Sequence, residues 1–328
     1  MRPLSVRTEG VFVVRREQTM IHTPMDVLHQ FPVRKSKQQK QDFRDSVCRY
    51  VQSLGYSVVV ESGNFGSRNI VMGDPQNAKY LVTAHYDTCA ALPVPNFLMP
   101  CNLPVFILSQ TVLWLSLILI SAVSGAMVGF LFGEGFVAPV SCLVLFGIIA
   151  LMLVGPANKN NANDNTSGVV TLLEIMRTMP ENQRHKVCFA LFDLEEAGMI
   201  GSCSYRKVHK AESDRQVVLN LDCVGDGDHL AMFPTKQLKK NRKKLTSLYR
   251  ACGFFGKKSL MVHEKGFSIY PSDQMVFPYG VGICALKKSK FGLYVGKIHT
   301  HKDTVLEETN VNILRAALTS YICCDAAQ

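Results

Sequence analysis

His85, Asp87, Asp164, Glu195, Glu196, Asp222 and His299 are the residues of this 328-residue chain whose types and surroundings suit chemistry. Imidazoles and carboxylates are the nitrogen and oxygen donors that hold zinc. Asp164 lies in Asn163-Asp164-Asn165-Thr166-Ser167-Gly168, a polar turn that opens into the apolar periodic run 169–179. That string reads equally well as an ordinary helix N-cap. Read for function, an aspartate held by the free N–H groups of a helix start presents two oxygens in fixed directions, as a carboxylate serving two metal ions must. His85 stands two residues before Asp87, the spacing of an imidazole ligand whose second nitrogen is oriented by an acid. Glu195 and Glu196 are adjacent, so one can bind metal while the other accepts a proton from water. Asp222 and His299 complete the set, with Asp303 as a nearby acid for His299. Singly, each residue has a bland alternative: a hydrogen-bonded core histidine, a salt-bridged glutamate pair or a turn aspartate. Together, two histidines and three carboxylates suit two Zn2+ ions bridged by a carboxylate and a water.

These residues need elements to position them. The buried strand expected at 80–84 runs into His85, the one at 186–192 precedes the glutamate pair, and the one at 217–221 precedes Asp222. Open α/β sheets place their ligand sites at such carboxyl ends. Further strands are expected at 57–61, 69–72, 229–233, 259–262, 282–286 and 291–295. Helices are expected at 35–54, 167–179, 198–209, 237–252 and 310–323. The alternation describes an α/β chain whose central sheet is covered by helices on both faces.

One stretch breaks the pattern. Between Asp87 and Lys159 the only charged residue is Glu134, with apolar runs at 103–132 and 136–154 on either side. At about 1.5 Å per residue the second run just crosses a hydrocarbon layer of about 30 Å, and the first is longer than it needs to be. Soluble helices carry a polar stripe and these two have almost none, so a transmembrane hairpin is expected rather than a buried one. Gly125, Gly129 and Gly133 recur every fourth residue, a spacing that lets two helices approach closely.

The 47% hydrophobic content suffices for a sizeable core. The eleven cysteines form no CxxC pair, so neither a zinc knuckle nor a disulfide framework is indicated, and this usage suits a reducing compartment. The first twenty residues lack the apolar core and cleavage site of a secretory signal. Residues 236–244 carry six basic side chains in nine, read first as a solvated helix face and otherwise as a contact for anionic headgroups. The net charge of +10 is not assigned to nucleic acid.

The strings TAHYDT (83–88), NDNTSG (163–168), FDLEEAGMIGS (192–202), NLDCVG (220–225), SDQMVF (272–277) and IHTHKDT (298–304) resemble, in order and spacing, the dizinc aminopeptidases with the fold of bacterial leucyl aminopeptidases. That family also holds glutaminyl cyclases and catalytically dead receptor ectodomains. The resemblance runs from about residue 40 to 323, interrupted only by the hairpin. It implies a three-layer α/β/α sandwich with a mixed central sheet. It implies that His85 and Asp222 bind one zinc, that Glu196 and His299 bind the other, and that Asp164 bridges them. Glu195 becomes the general base and Asp87 the acid behind His85. The implied reaction is hydrolysis of the N-terminal residue from peptides with a free N-terminus, by a water between the two cations. Where some relatives have a tyrosine before the last histidine, this chain has Ile298, leaving the oxyanion donor unassigned. His299 is preferred to His301 because the HTxxDT spacing starts there.

The expected organisation is an extension over 1–34, peptidase segments over 35–100 and 156–328, and the hairpin over 101–155. His85 precedes the hairpin and the other site residues follow it, so a shared site requires an even number of crossings. The loop at Glu134 lacks Lys and Arg while Lys159 follows the second run, which places the peptidase domain on the cytoplasmic side of the lipid bilayer. Two other functions stand beside a membrane-tethered aminopeptidase: a glutaminyl cyclase-like acyltransferase and a non-catalytic scaffold. The complete ligand set and the intact base argue against both.

Overall fold

The computed structural model describes residues 20–92, 97–264 and 268–324. The first nineteen residues, including most of the stretch read for a secretory signal, lie outside the described residues.

In chain order the elements are α1 (Asp26–Gln30), α2 (Lys37–Ser53), β1 (Val58–Ser62), β2 (Arg68–Met72), β3 (Tyr80–His85), α3 (Leu103–Phe132), α4 (Val137–Val154), α5 (Gly168–Thr178), β4 (Val187–Phe192), α6 (Ile200–Val208), α7 (Lys210–Ser213), β5 (Val217–Leu221), β6 (His229–Pro234), α8 (Lys236–Lys240), α9 (Arg242–Leu248), β7 (Gly253–Phe255), β8 (Lys258–Val262), β9 (Gly280–Ser289), β10 (Gly292–Tyr294) and α10 (Glu308–Cys323). The strands form one mixed sheet in the order β1-β2-β4-β3-β5-β9-β6-β8-β7, with β10 paired to β9. Its centre is parallel: β3 pairs with β4 and β5, and β5 with β9. β3, β4 and β5 are buried along their whole length, which is why their sequences read as continuous apolar runs rather than alternating ones.

The two faces of the sheet are covered separately. Tyr80, Val82 and Ala84 of β3, with Val187, Phe189 and Leu191 of β4, pack against residues of α1, α2, α5, α9 and α10. The intervening Leu81, Cys188, Ala190 and Phe192 pack against Tyr205 of α6 and Phe277. This is the three-layer arrangement expected. Of the expected extension, Ile21, Val27 and Phe31 join the first core, and the Phe31 ring meets Phe43 of α2 edge-on at 5.7 Å.

The helix expected over 237–252 is broken. Asn241 is extended (φ −87°, ψ 90°), and its side chain accepts the Lys244 amide, ending α8 and capping α9. The strand β7 was not anticipated, because three residues beginning with glycine carry too little alternation to register.

α3 and α4 form a hairpin that leaves the sheet between β3 and α5. They span 30 and 18 residues, and both are long and apolar enough to cross a membrane. Only Ser121, Gly125 and Gly129 of α3 are buried, and no residue of α4 is. A hydrophobic hairpin serving as a soluble core would hide its side chains; Phe130 here is 90% exposed and Leu143 73%. Gly125 and Gly129 face α4 so closely that an added Cβ would meet Ser141 or Val137. Gly133 makes no such approach and instead turns the chain at φ +110°.

Candidate active site

Because β3, β4 and β5 are parallel and in register, their carboxyl ends lie along one edge. His85 ends β3 and is paired with Phe192 at the end of β4, three residues before Glu195; Asp222 follows directly on β5. Asp164 arrives from the turn Ala162–Ser167 ahead of α5, and His299 from the loop after β10. The turn is stapled to the strand ends by Asn165, whose side chain donates to the carbonyls of Leu221 (2.9 Å) and His85 (3.4 Å) and accepts the amides of Gly168 and Cys223. Asn163 accepts the amides of Gly225 and Asp226.

Two expectations about how the site is held need correction. The free amides of α5 do not grip Asp164: Asn165 caps the helix through the Gly168 amide, and the Asp164 carboxylate turns away towards the histidines. Nor does Asp303 bond the His299 ring among the described residues. Its two oxygens accept the backbone amides of Asn163 (2.8 Å) and Asp164 (3.0 Å), so it aims Asp164 instead.

At the centre, Asp164 Oδ1 lies 3.3 Å from His85 Nε2 and Oδ2 lies 2.9 Å from His299 Nε2. Asp222 Oδ1 is 3.8 Å from His85 Nε2, and Glu196 Oε2 is 3.4 Å from His299 Nε2. The far nitrogen of His85, Nδ1, faces Asp87, 3.2 Å from its carbonyl and 3.6 Å from its carboxylate. That carboxylate also accepts the amides of Glu195 (3.0 Å) and Glu196 (3.3 Å), so Asp87 ties the first histidine to the glutamate loop. Leu194, Met199, Cys223 and His299 all have φ between 54° and 61°. Left-handed backbone at non-glycine residues is costly and persists where surrounding contacts enforce it.

Burial pushes the Glu195 carboxyl well above its ordinary range, and Asp273, Glu196 and Asp222 push the same way against His85. Burial, with Asp164 nearby, raises Glu196 to about 7. Burial works to lower both histidines, yet the carboxylates outweigh it: Glu195, Asp164 and Asp222 hold His85 well above its ordinary value, and Glu196 with Asp164 lifts His299 to about 9. Asp164 is lowered despite burial, because both imidazoles bond it. Carboxylates driven towards neutrality mark a pocket short of positive charge, and Glu196 Oε1 is buried without a hydrogen-bond partner. Divalent cations fit this donor set. The donor atoms of His85, Asp164 and Asp222 lie within 4.8 Å of one another, as do those of His85, Glu195 and Glu196, and those of Cys89, Glu196 and His299.

All seven residues singled out in the sequence therefore meet, and His301 stays outside, exposed, with its carbonyl bonded by Asn160. Ile298 is buried among Tyr270, Val295 and Cys223 and offers no polar atom at that position. Sequence reasoning missed three neighbours. Cys89 joins a donor group although nothing beyond its place after TAHYDT marked it. Asp273, in the SDQMVF string, is fully buried with Oδ2 unpartnered, and its carboxyl is raised by burial to about 7. Arg34 is fully buried and donates to the carbonyls of Phe31 and Tyr86 and to the Thr166 hydroxyl, bracing both sides of His85 and Asp164.

The sequence model of peptidase family M28 matches residues 150–320, a little over half of the chain. The chain belongs to peptidase family M28. The motif resemblance and the match agree on the group of dizinc aminopeptidases and glutaminyl cyclases, and M28 membership carries metal use and a peptidase-like enzyme with peptide-type substrates. No curated protein matches the sequence. Solved structures match its fold: a Porphyromonas gingivalis glutaminyl cyclase (TM-score 0.57, 14% identity, 93% of this chain and 98% of that one) and the Legionella pneumophila LapA aminopeptidase (0.55, 13%, 100% and 81%). A zinc-dependent exopeptidase from Parabacteroides distasonis is similar (0.55, 16%, 91% and 96%). At these identities the likeness carries the M28 fold and leaves the activity to the site.

Proposed function

We propose that this M28 chain is a membrane-tethered aminopeptidase using two zinc ions. The observation that carries the reading is Asp164, whose two oxygens face two different histidines, His85 and His299. In this reading His85 and Asp222 hold one ion, Glu196 and His299 the other, and Asp164 both. Zinc there supplies Lewis-acid polarisation of the peptide carbonyl and acidification of water. The chain's own part is proton handling and alignment. Glu195, its amide pinned by Asp87, takes a proton from the attacking water and returns it to the leaving amine. Asp87 orients His85 through Nδ1, and Asp303 sets the direction of Asp164 through the backbone.

The tether is α3 and α4, at about 45 and 27 Å by helical rise, against a hydrocarbon layer of about 30 Å. The exposure of most of their side chains and the absence of charge favour a lipid surround. The domain divides accordingly into peptidase segments at 35–100 and 156–328 around the hairpin at 101–155, after an extension over 1–34 whose residues Ile21, Val27, Phe31 and Arg34 pack into the peptidase core. Lys35 and Lys159 flank the peptidase side whereas the Gly133-Glu134-Gly135 loop holds no base, and all eleven cysteines are free. Both point to a cytoplasmic peptidase domain.

Zinc counted on purified protein, with a panel of aminoacyl chromogenic substrates and one Gln-initiated peptide, tests the activity. Two zinc ions and release of N-terminal residues are expected. Cyclisation of the Gln peptide without hydrolysis of the panel would instead make the chain a glutaminyl cyclase, and inertness towards both would make it a scaffold. For orientation, with the native cysteines removed, Glu134→Cys should react with an impermeant maleimide in intact cells and Lys240→Cys should not.

A further inference from the structure

We propose that the edge of the sheet carrying the active site rests on the bilayer surface, and that the substrates are peptides anchored in or lying on that same membrane. The proposal rests on the tethered-peptidase reading above and adds where the site opens. The hairpin leaves from the carboxyl end of β3, the edge on which His85, Asp222 and the glutamate loop gather. Its roots are bonded into the site itself. Leu92 donates to the carbonyl of His299 (2.8 Å), Ala91 to that of Pro156 (2.9 Å), and Asn158 to that of Cys89 (3.1 Å). Leu98 is bridged to Val295, and Asn102 donates to the Phe291 carbonyl (2.8 Å) at the other root. These bonds tie loops at both ends of the hairpin to the loops of the site and hold the site close to the membrane helices.

The chemistry of the rim matches an anionic headgroup layer. Residues 286–302 hold five lysines and no acid; Lys287 pairs with Asp226 at 2.6 Å, which leaves Lys288, Lys290, Lys297 and Lys302 to the rim. Lys290 lies over the ring of the exposed Phe291, at the tip of the β9–β10 turn beside the α3 root. Lys297 is exposed between Val295 and His299, the two residues tied to the hairpin. Lys302 and Lys159 are exposed beside His301 and Asn160, which bond each other, and Lys35 donates to the Leu153 carbonyl at the end of α4. Cationic stems around an aromatic ring are the composition of an interfacial belt. The other basic cluster, α8 and α9, starts where Thr235 bonds Gly280 at the opening of β9 and is not part of this rim. A soluble peptide has no advantage at a site so placed, whereas one held in the same membrane arrives pre-concentrated.

The test uses the full chain in phosphatidylcholine/phosphatidylglycerol vesicles containing lipids brominated high on the acyl chain. The chain has a single tryptophan, Trp114 in α3, which reports the tether directly. Two further proteins carry Trp114→Phe with either Phe291→Trp at the rim or His185→Trp at the amino end of β4, the opposite edge of the parallel strands. Quenching of Trp114 and of the indole at position 291, but not of that at position 185, is expected. Trp114 quenched with position 291 unquenched would keep the tether and overturn the docking of this face; Trp114 unquenched would overturn the tether and the proposal with it. In a second arm, wild-type vesicles receive one N-terminal sequence either free or with a carboxyl-terminal transmembrane anchor. The anchored form should be trimmed at least about tenfold faster in the same vesicles and lose that advantage in separate ones. Equal rates would overturn the substrate class. Cleavage of neither would remove the aminopeptidase reading and the substrate class together, while the quenching pair still decides the face.

Discussion

Leu92 donates its backbone amide to the carbonyl of His299 at 2.8 Å, so the root of the apolar hairpin and the last histidine of the site are one hydrogen bond apart. The Leu92 side of the hairpin is equally close to its return: the Ala91 amide meets the Pro156 carbonyl at 2.9 Å.

Excising residues 93–155 and joining the ends by a short glycine-serine turn is therefore expected to leave a folded domain. It should sediment as a soluble protein without detergent and retain zinc, because the root contacts at 89–92 and 156–158 remain. The Leu98 bridge to Val295 is lost, so a Tm lower by a few degrees is expected. Zinc loss with intact secondary structure would show that the hairpin shapes the site rather than merely carrying it.

Glu195→Gln should keep both zinc ions and the fold while lowering kcat by about 10²–10⁴ or more, since it removes the proton acceptor and leaves the ligands. Glu196→Ala should instead lose one ion. Metal content and single-turnover rates on the same preparations separate the two; zinc loss in Glu195→Gln would reverse the assignment of the pair.

Asp164→Ala is expected to cost more zinc than loss of any other single ligand, because its oxygens face both histidines. Asp303→Asn should reproduce part of that loss without touching a ligand, by turning an amide donor towards the Asn163 and Asp164 N–H groups. Zinc competition against a chromogenic chelator measures both. Two tightly held ions in Asp164→Ala would remove the bridging role.

Arg34→Met should destabilise the domain by about 2–5 kcal/mol, because the carbonyls of Phe31 and Tyr86 lose their buried donor. Since Tyr86 follows His85 and Thr166 lies two residues after Asp164, zinc affinity should fall as well. Denaturant unfolding with and without chelator gives both numbers. An unchanged midpoint would mean that water replaces the guanidinium.

Much of this chain is legible in its sequence because the relevant physics is local. A strand buried on both faces must be apolar throughout, so 80–84, 186–192 and 217–221 stand out, and their polar successors mark the site edge. The hairpin is equally plain as a pair of long apolar helices, since one charge in seventy residues leaves it almost no polar stripe. What the sequence could not supply is which atoms meet across 50 to 150 residues. Asp303 looked like the partner of His299 four residues away, yet the fold carries it to the amides of Asn163 and Asp164. Arg34, Asp273 and Cys89 gained their places at the site only when register and layer packing brought distant segments together, because a buried charge or thiol has no periodicity to betray it. The same holds for the lysines between 286 and 302. Their charge was visible from the start, but their position around the hairpin roots comes from the pairing of β9 with β5, which fixes the edge of the sheet on which that loop emerges.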